Sequence, residues 1–452
     1  MRMRPQKIDK SNPSQAFWEE VGHFQGRLDH GDFKNLLLSL LYLRSLANKT
    51  RDWTDVVGTG YSANTFTAID EALERNLGLE NRTILVDTAM LGGLFAAMQR
   101  LEPGDIPDVF EFCIEKFSQT DGRTGGDYCS PRWLKALMVK LAAPRKGLAY
   151  DPCCGSGGLL AHAWMHAAKE GGELRLFGQE SNLSTRRIGI MNLAVRGIEC
   201  SFGADHANTF QTDLHSNLKA DFVLANPPFN VENWTSAEAS HQSWDFGMPP
   251  INNANFAWIQ HFVRHLASNG TAVFTMSNGA LSSKTCGEGD IRRAIVEAGL
   301  VDCIIGLPAR LFHSTRIPAS IWVLKNGRQK QQQCLFINAQ NLGRMVDRVH
   351  SVLNDDELES IVGAYHAWRG NSGVPYKNIP GFSNVSEVDE IRANNYILTP
   401  GRYVPVSLNT MTAEVPAEKI ASLTKQLDAQ FKESIRLEQL IRMHLAQADH
   451  GH

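Results

Sequence analysis

None of the eight cysteines in this 452-residue chain belongs to a C-x-x-C pair or to a zinc-type spacing. Neither a disulfide framework nor a zinc knuckle is therefore expected, and a reducing cytoplasm fits. No apolar run approaches the roughly 20 residues of a membrane span, so no membrane segment is expected. Met1-Arg2-Met3-Arg4 is basic, but no apolar stretch follows it, so no secretory signal is read. The fifteen histidines contain no H-E-x-x-H, so no catalytic metal is implied. Neither G-x-x-x-x-G-K-[ST] nor G-x-G-x-x-G occurs, which removes the usual phosphate and dinucleotide cradles. Positive charge is also short. The net charge is −3, whereas a self-sufficient reader of nucleic acid usually shows a basic face. What remains is ordinary globular composition, 43% hydrophobic and 21% charged, at a length that suits two or three domains.

Against that background one segment stands out. Ala220-Asp221-Phe222-Val223-Leu224-Ala225 reads as a buried strand and runs into Asn226-Pro227-Pro228-Phe229. Two prolines end the strand and stiffen the backbone, because each fixes φ and lacks an N–H. Asn226 is then held at the mouth of a sheet with an amide to offer, and Phe229 offers a flat ring. An amide oxygen and a rigid aromatic suit the gripping of a planar amino base taken out of a nucleic-acid stack. A Pro-rich turn with a satisfied Asn and a core Phe is the plain alternative.

A second segment sits upstream. Gly147-Leu148-Ala149-Tyr150 reads as a strand that enters Asp151-Pro152-Cys153-Cys154-Gly155-Ser156-Gly157-Gly158, and Leu159 begins a helix. Strand, glycine loop and helix form the first turn of a doubly wound sheet, whose ligands bind at the carboxyl ends of strands. Glycines let backbone approach a ligand closely. Asp151 would repel a phosphate but suits a cation. Glu173 to Gly178 reads as the next strand, and Glu180 just beyond it suits two ribose hydroxyls. Together these sites fit S-adenosylmethionine, which has a ribose, an adenine and a charged amino-acid tail but no phosphate. Taken singly, the loop could be an ordinary turn and Glu180 a solvated strand end.

D-P-C-C-G-S-G-G followed by N-P-P-F resembles the amino-group DNA methyltransferases, and in particular the modification subunit of type I restriction–modification systems. Gly125-Gly126-Asp127-Tyr128-Cys129-Ser130-Pro131 is similar to the family's cofactor-side motif, with Ser130 in place of its usual Thr. Asn252 to Trp258, Ser277 to Leu281 and Leu307 to Phe312 extend the resemblance downstream. It implies a Rossmann-like α/β methyltransferase sheet with an N-terminal helical domain and a C-terminal helical extension. It also implies N6 methylation of a flipped adenine, with S-adenosylmethionine as donor. Asn226, Pro227, Pro228 and Phe229 would form the catalytic set. Tyr128, Ser130, Pro131, Asp151, Pro152, Gly155, Ser156, Gly157, Gly158, Glu180, Asn208 and Thr209 would form the cofactor set. Relatives often carry Asp where this chain has Asn208, whose amide oxygen can accept the same hydrogen bond. The implied partners are DNA, a specificity subunit (two modification chains to one) and a restriction subunit.

The organisation read from the chain is a helical domain over residues 1–120, a catalytic domain over 121–405 and a helical docking segment over 406–452. Asp32 to Leu46 reads as a buried helix, and Thr67 to Arg75 as another. Gly327 to Gln333 reads as a hairpin loop between two strands. Pro416 to Ala448 carries Ile420, Leu423, Leu427, Phe431, Ile435 and Leu445 at roughly helical spacing, a stripe for the protein's own core or for a partner helix. Other planar amino acceptors (cytosine N4, an RNA base or a protein glutamine) suit N-P-P equally, and a non-catalytic scaffold is the rival from another class. The absent phosphate loop disfavours a restriction motor.

Overall fold

Asn12 starts the first helix, α1 (Pro13–Val21). Its side chain accepts the N–H groups of Ser14 and Gln15, and proline fills the first turn where no donor is needed. The structure, a computed structural model, describes residues 12–50, 88–120, 130–235, 244–309, 317–327, 332–345, 351–405 and most of 424–438. Helix α2 (His30–Thr50) is apolar on most faces, and Leu36, Leu37, Leu38, Leu40, Leu41 and Leu43 are all buried, as the sequence predicts. With α3 (Thr88–Gln99) and α4 (Ile106–Thr120) it builds a core around Phe17, Leu94, Phe110 and Phe117. The expected helix at Thr67 to Arg75 and the glycine-rich stretch at 121–126 lie outside the described residues.

Helix α5 (Arg132–Ala142) leads into strand β1 (Lys146–Asp151). Then follow α6 (Gly158–Lys169), β2 (Glu173–Gly178), α7 (Leu183–Ala194), β3 (Cys200–Ser201) and β4 (Ala220–Ala225). Beyond the N-P-P-F turn come α8 (Asn255–His265), β5 (Leu266–Ser277), α9 (Glu288–Glu297), β6 (Val301–Gly306) and β7 (Ala319–Lys325). The fold finishes with β8 (Gln333–Asn338), a small ladder of β9 (Arg344–Met345) and β10 (Ser351–Val352), α10 (Asp355–Trp368), β11 (Ser383–Glu387) and α11 (Val388–Ala393).

The main sheet runs β11-β8-β6-β7-β5-β4-β1-β2-β3. The β1–β5 half is wholly parallel, in the doubly wound order 3-2-1-4-5. Both faces are covered, so its central strands are near-continuous apolar runs. Val223 and Ala225 join Ala272 and Phe274 in one core, while Leu224 and Val273 join the other, as strand alternation requires. Ile188, Met191 and Val195, on and just after α7, belong to the core of the N-terminal helices, which therefore pack directly against this layer.

The hairpin expected around Gly327 to Gln333 is not formed. β7 lies antiparallel between β5 and β6, so both its edges are taken, and β8 pairs instead with β6, in parallel. The chain divides into two compact units, Met1–Val404 and Pro405–His452. In the second, the described residues of 424–438 are helical, and Leu427 and Phe431 of the expected stripe are 50% and 58% exposed. Ile420, Leu423, Ile435 and Leu445 lie outside the described residues. Among the described residues no helix is long and apolar enough to cross a membrane.

Candidate active site

β1 and β4 are neighbours in the sheet but lead to opposite halves of the strand order, so their carboxyl ends frame its switch point. In doubly wound sheets the connections diverge at such a point, and ligands bind in the crevice that results. β1 ends in Asp151 and β4 in Ala225, so the glycine loop and Asn226 meet at the place where such sheets bind ligands.

Asn226 is half-buried, and both amide atoms are engaged. Its Nδ2 donates to Ser130 Oγ at 2.8 Å, and its Oδ1 accepts from the Thr275 hydroxyl on β5. Pro227 is buried, and Phe229 is partly buried against both cores of the sheet. Four residues after Asn226 the chain turns through Asn230, at φ 55°, a conformation asparagine tolerates better than most residues. The buried Asn255 accepts the Asn230 N–H at 2.9 Å and donates to the Asn230 side chain at 2.8 Å and to Ser277 at 3.1 Å. The prolines are thus pinned at both ends.

The glycine loop is held as tightly. Gly155 and Gly157 take φ of 53° and 71°, open to glycine at little cost. Gly155 N–H donates to Glu180 at 3.0 Å, and the other Glu180 oxygen accepts from Asn182 N–H at 2.8 Å. Pro152 carbonyl accepts from the buried Thr209 hydroxyl at 2.6 Å, and Ser156 carbonyl from Asn192 at 2.7 Å. A Cβ on Gly158 would lie 3.2 Å from Lys135 Nζ. Asn208 closes a local turn, its Oδ1 accepting the Phe210 N–H at 2.9 Å. Pro131 precedes α5, whose first turn bonds to its carbonyl. Tyr128 lies outside the described residues.

The loop is electronegative. Asp151 is buried, and its Oδ1 accepts the Cys153 N–H at 3.0 Å. Burial, with the Glu180 charge adding, pushes its carboxyl up to about 7. The Cys153 and Cys154 thiols are also pushed up, by burial and then by the same two acids. Among the described residues neither acid has a cationic side chain in ion-pair range, which leaves their charge for a ligand.

Several supporting residues gave no sequence signal. Gln179, fully buried, reaches from the end of β2 to the carbonyls of Ala207 and Thr212 and accepts from Leu214 N–H. On α7, Gly189 lets the helix press on the loop, since a Cβ there would lie 2.9 Å from Gly155 carbonyl. Asn192 belongs to a buried ionic network. Arg196 donates to Asn192 and to Glu111 Oε2, at 3.0 Å in the latter case, while Lys135 and His162 bind the other Glu111 oxygen. Burial would raise the Glu111 carboxyl, but Lys135, His162 and Arg196 outweigh it and hold it well below the usual range. The network joins α4 of the N-terminal helices to the glycine loop.

The histidines also converge in one place. One ligand atom each from Asp213, His261 and His265 lies within 4.8 Å of the others. Hydrogen bonding already explains the group. His265 Nδ1 lies 3.0 Å from Leu218 carbonyl and Nε2 lies 2.9 Å from Asp213, so both ring nitrogens are engaged within the protein. Burial and then the His265 charge push His261 down to about 3.

Comparison with known proteins places the chain in a family. The family model described as N-6 DNA Methylase matches residues 103–410. The type I restriction enzyme HindI methylase subunit of Haemophilus influenzae is 38% identical over 341 residues, 75% of this chain and 76% of that protein. The MjaIX methylase subunit of Methanocaldococcus jannaschii is 35% identical over 312 residues, 66% of this chain but only 55% of that protein. In fold, the type I restriction-modification methyltransferase subunit from Streptococcus thermophilus matches with a TM-score of 0.72 at 24% identity, over 87% of this chain and 99% of that one. The chain belongs to the N-6 DNA methylase family, among the methylase subunits of type I restriction enzymes.

Proposed function

We propose that Asn226 and the carbonyl of Pro227 grip the amino group of a flipped adenine, and that the loop from Asp151 to Gly158, with Glu180, holds S-adenosylmethionine. The chain is an adenine-specific DNA methyltransferase by family, and what is proposed is how its residues divide the work. The observation that carries the reading is the fixed amide of Asn226, placed beside the β1 loop at the switch point of the sheet.

The residues at β1 fit the cofactor's chemistry. Two carboxylates without cationic partners suit its ammonium and ribose hydroxyls, and positive-φ glycines expose backbone to it. Bound there, S-adenosylmethionine supplies a methyl group activated by a sulfonium. Adenine N6 is a weak nucleophile, because its lone pair is delocalised into the ring. Two acceptors on its N–H bonds localise that pair and aim it. No strong base is needed beforehand, since N6 becomes acidic only as it gains positive charge. Catalysis then rests on positioning and on dipoles placed where charge develops. Stacking on Phe229 contributes about 1–3 kcal/mol, which roughly offsets the few kcal/mol of flipping and leaves little over.

Target reading falls to partners in this account. A net charge of −3 leaves the chain without a bulk basic face. We assign DNA grip and sequence choice to a specificity subunit, two modification chains to one, with a restriction subunit in the full assembly. Residues 406–452 are the proposed docking segment, with the exposed Leu427 and Phe431 as contacts. Residues 1–120 are the helical domain and 121–405 the catalytic one. A cytoplasmic location fits the described cysteines, which are free. Asn226→Ala should abolish methyl transfer and leave S-adenosylmethionine binding intact in a calorimetric titration. Transfer at the unaltered rate would refute the assignment.

A further inference from the structure

Near its carboxyl end strand β5 carries hydroxyls at alternate positions, Thr275 and Ser277, both buried. Alternation puts them on one face. Register places β5 beside β4, with Ala225 opposite Phe274, so Thr275 stands next to Asn226. The two hydroxyls serve the two asparagines that flank the N-P-P-F turn. Thr275 donates to Asn226 Oδ1, and Ser277 donates to Asn230 Oδ1 at 3.2 Å.

A carboxamide is nearly symmetric in shape, and its two ends differ in what they offer. Oxygen accepts through two lone pairs, and nitrogen only donates. Turned over, Asn226 would aim a donor at the amino group it must grip. Thr275 occupies one lone pair of Oδ1 and leaves the other. Ser130 takes one Nδ2 proton from the far side, at 2.8 Å. Both hydroxyls come from segments other than β4, and Thr275 has no exposed surface.

We propose that Thr275, aided by Ser130, is a positioning residue for methyl transfer: the pair holds the Asn226 amide in one rotamer, with an Oδ1 lone pair left for adenine N6. This rests on the reading of Asn226 given above. Ser130, which the family resemblance implies for the cofactor side, thereby links that side to the acceptor.

The test compares Thr275→Val, Thr275→Ser and Asn226→Ala in the full chain, co-expressed with its specificity subunit and assayed on unmethylated target DNA. Valine keeps the shape of threonine and removes only the hydroxyl; serine restores it. Thr275→Val should lower kcat by about 10- to 100-fold, the scale of a lost orientation. Its KM for S-adenosylmethionine and its melting temperature should stay near wild type, and Thr275→Ser should recover most of the rate. Two results overturn the positioning role alone, provided Asn226→Ala is inactive. One is wild-type kcat in Thr275→Val. The other is a joint loss of kcat and cofactor affinity that serine does not rescue. Full activity in Asn226→Ala would remove the premise and overturn both readings.

Discussion

Asp151→Asn should make the ligand-free protein more stable while destroying its cofactor site. The carboxyl is buried, and its proton affinity is raised from an ordinary 3.8 to about 7. Because the folded value exceeds the unfolded one, the protonated acid favours the fold. That contribution is complete below about pH 4 and is lost as the pH rises through 7. Relative to acid pH, the raised proton affinity costs the fold about 4 kcal/mol at pH 8, where the acid is ionised in both states (three tenfold steps at about 1.4 kcal/mol each), and under about 2 kcal/mol at pH 5, where only the unfolded chain has ionised it. Asparagine is neutral throughout and can still accept the Cys153 N–H. Urea unfolding of both proteins without ligand should therefore show a gap in favour of the variant that widens from pH 5 to pH 8. The ligand's ammonium would draw Asp151 into its ionised form, so binding near pH 7 should release about half a proton, read by calorimetry in buffers of different ionisation heat. A stability gap that is flat with pH, or that favours the wild type, would refute the reasoning.

Two further changes probe the support around the loop. Glu111→Gln leaves Arg196 buried without its carboxylate and Lys135 with only Glu115, at 3.8 Å, so it should cost about 3–5 kcal/mol in urea unfolding at neutral pH; a loss under about 1 kcal/mol would contradict that. Gly189→Ala puts a methyl 2.9 Å from Gly155 carbonyl and should weaken S-adenosylmethionine binding, whereas Gly92→Ala in α3, with open space at its Cβ, should leave binding unchanged and stabilise by about 0.5–1 kcal/mol. Equal affinities for these two variants would show that helix pressure on the loop is irrelevant.

Much of the site is legible in the sequence because its signals are local. A buried strand ended by two prolines, and a strand–glycine–helix turn with an acid at each strand end, are each contained in about ten residues. The sheet's far half is not legible in that way. The segment between β7 and β8 reads as a hairpin, since neighbouring strands usually pair, but nothing in it records that β6 already holds one edge of β7. Thr275 is equally silent, because a β-branched residue in an apolar strand reads as packing. Glu111, Lys135 and Arg196 are scattered surface charges until the fold buries them together. Asn208 shows the opposite limit. The sequence flags it as a departure, and the fold gives its Oδ1 a local task in binding Phe210 N–H, leaving one lone pair over.

The central claim is that Asn226 delivers adenine N6 to the methyl donor. Mass spectrometry of nucleosides from target DNA, methylated by the wild-type complex and by Asn226→Ala, tests it most directly. The account predicts N6-methyladenine from the wild type and none from the variant. N4-methylcytosine from the wild type, or N6-methyladenine from the variant at the wild-type level, would contradict it.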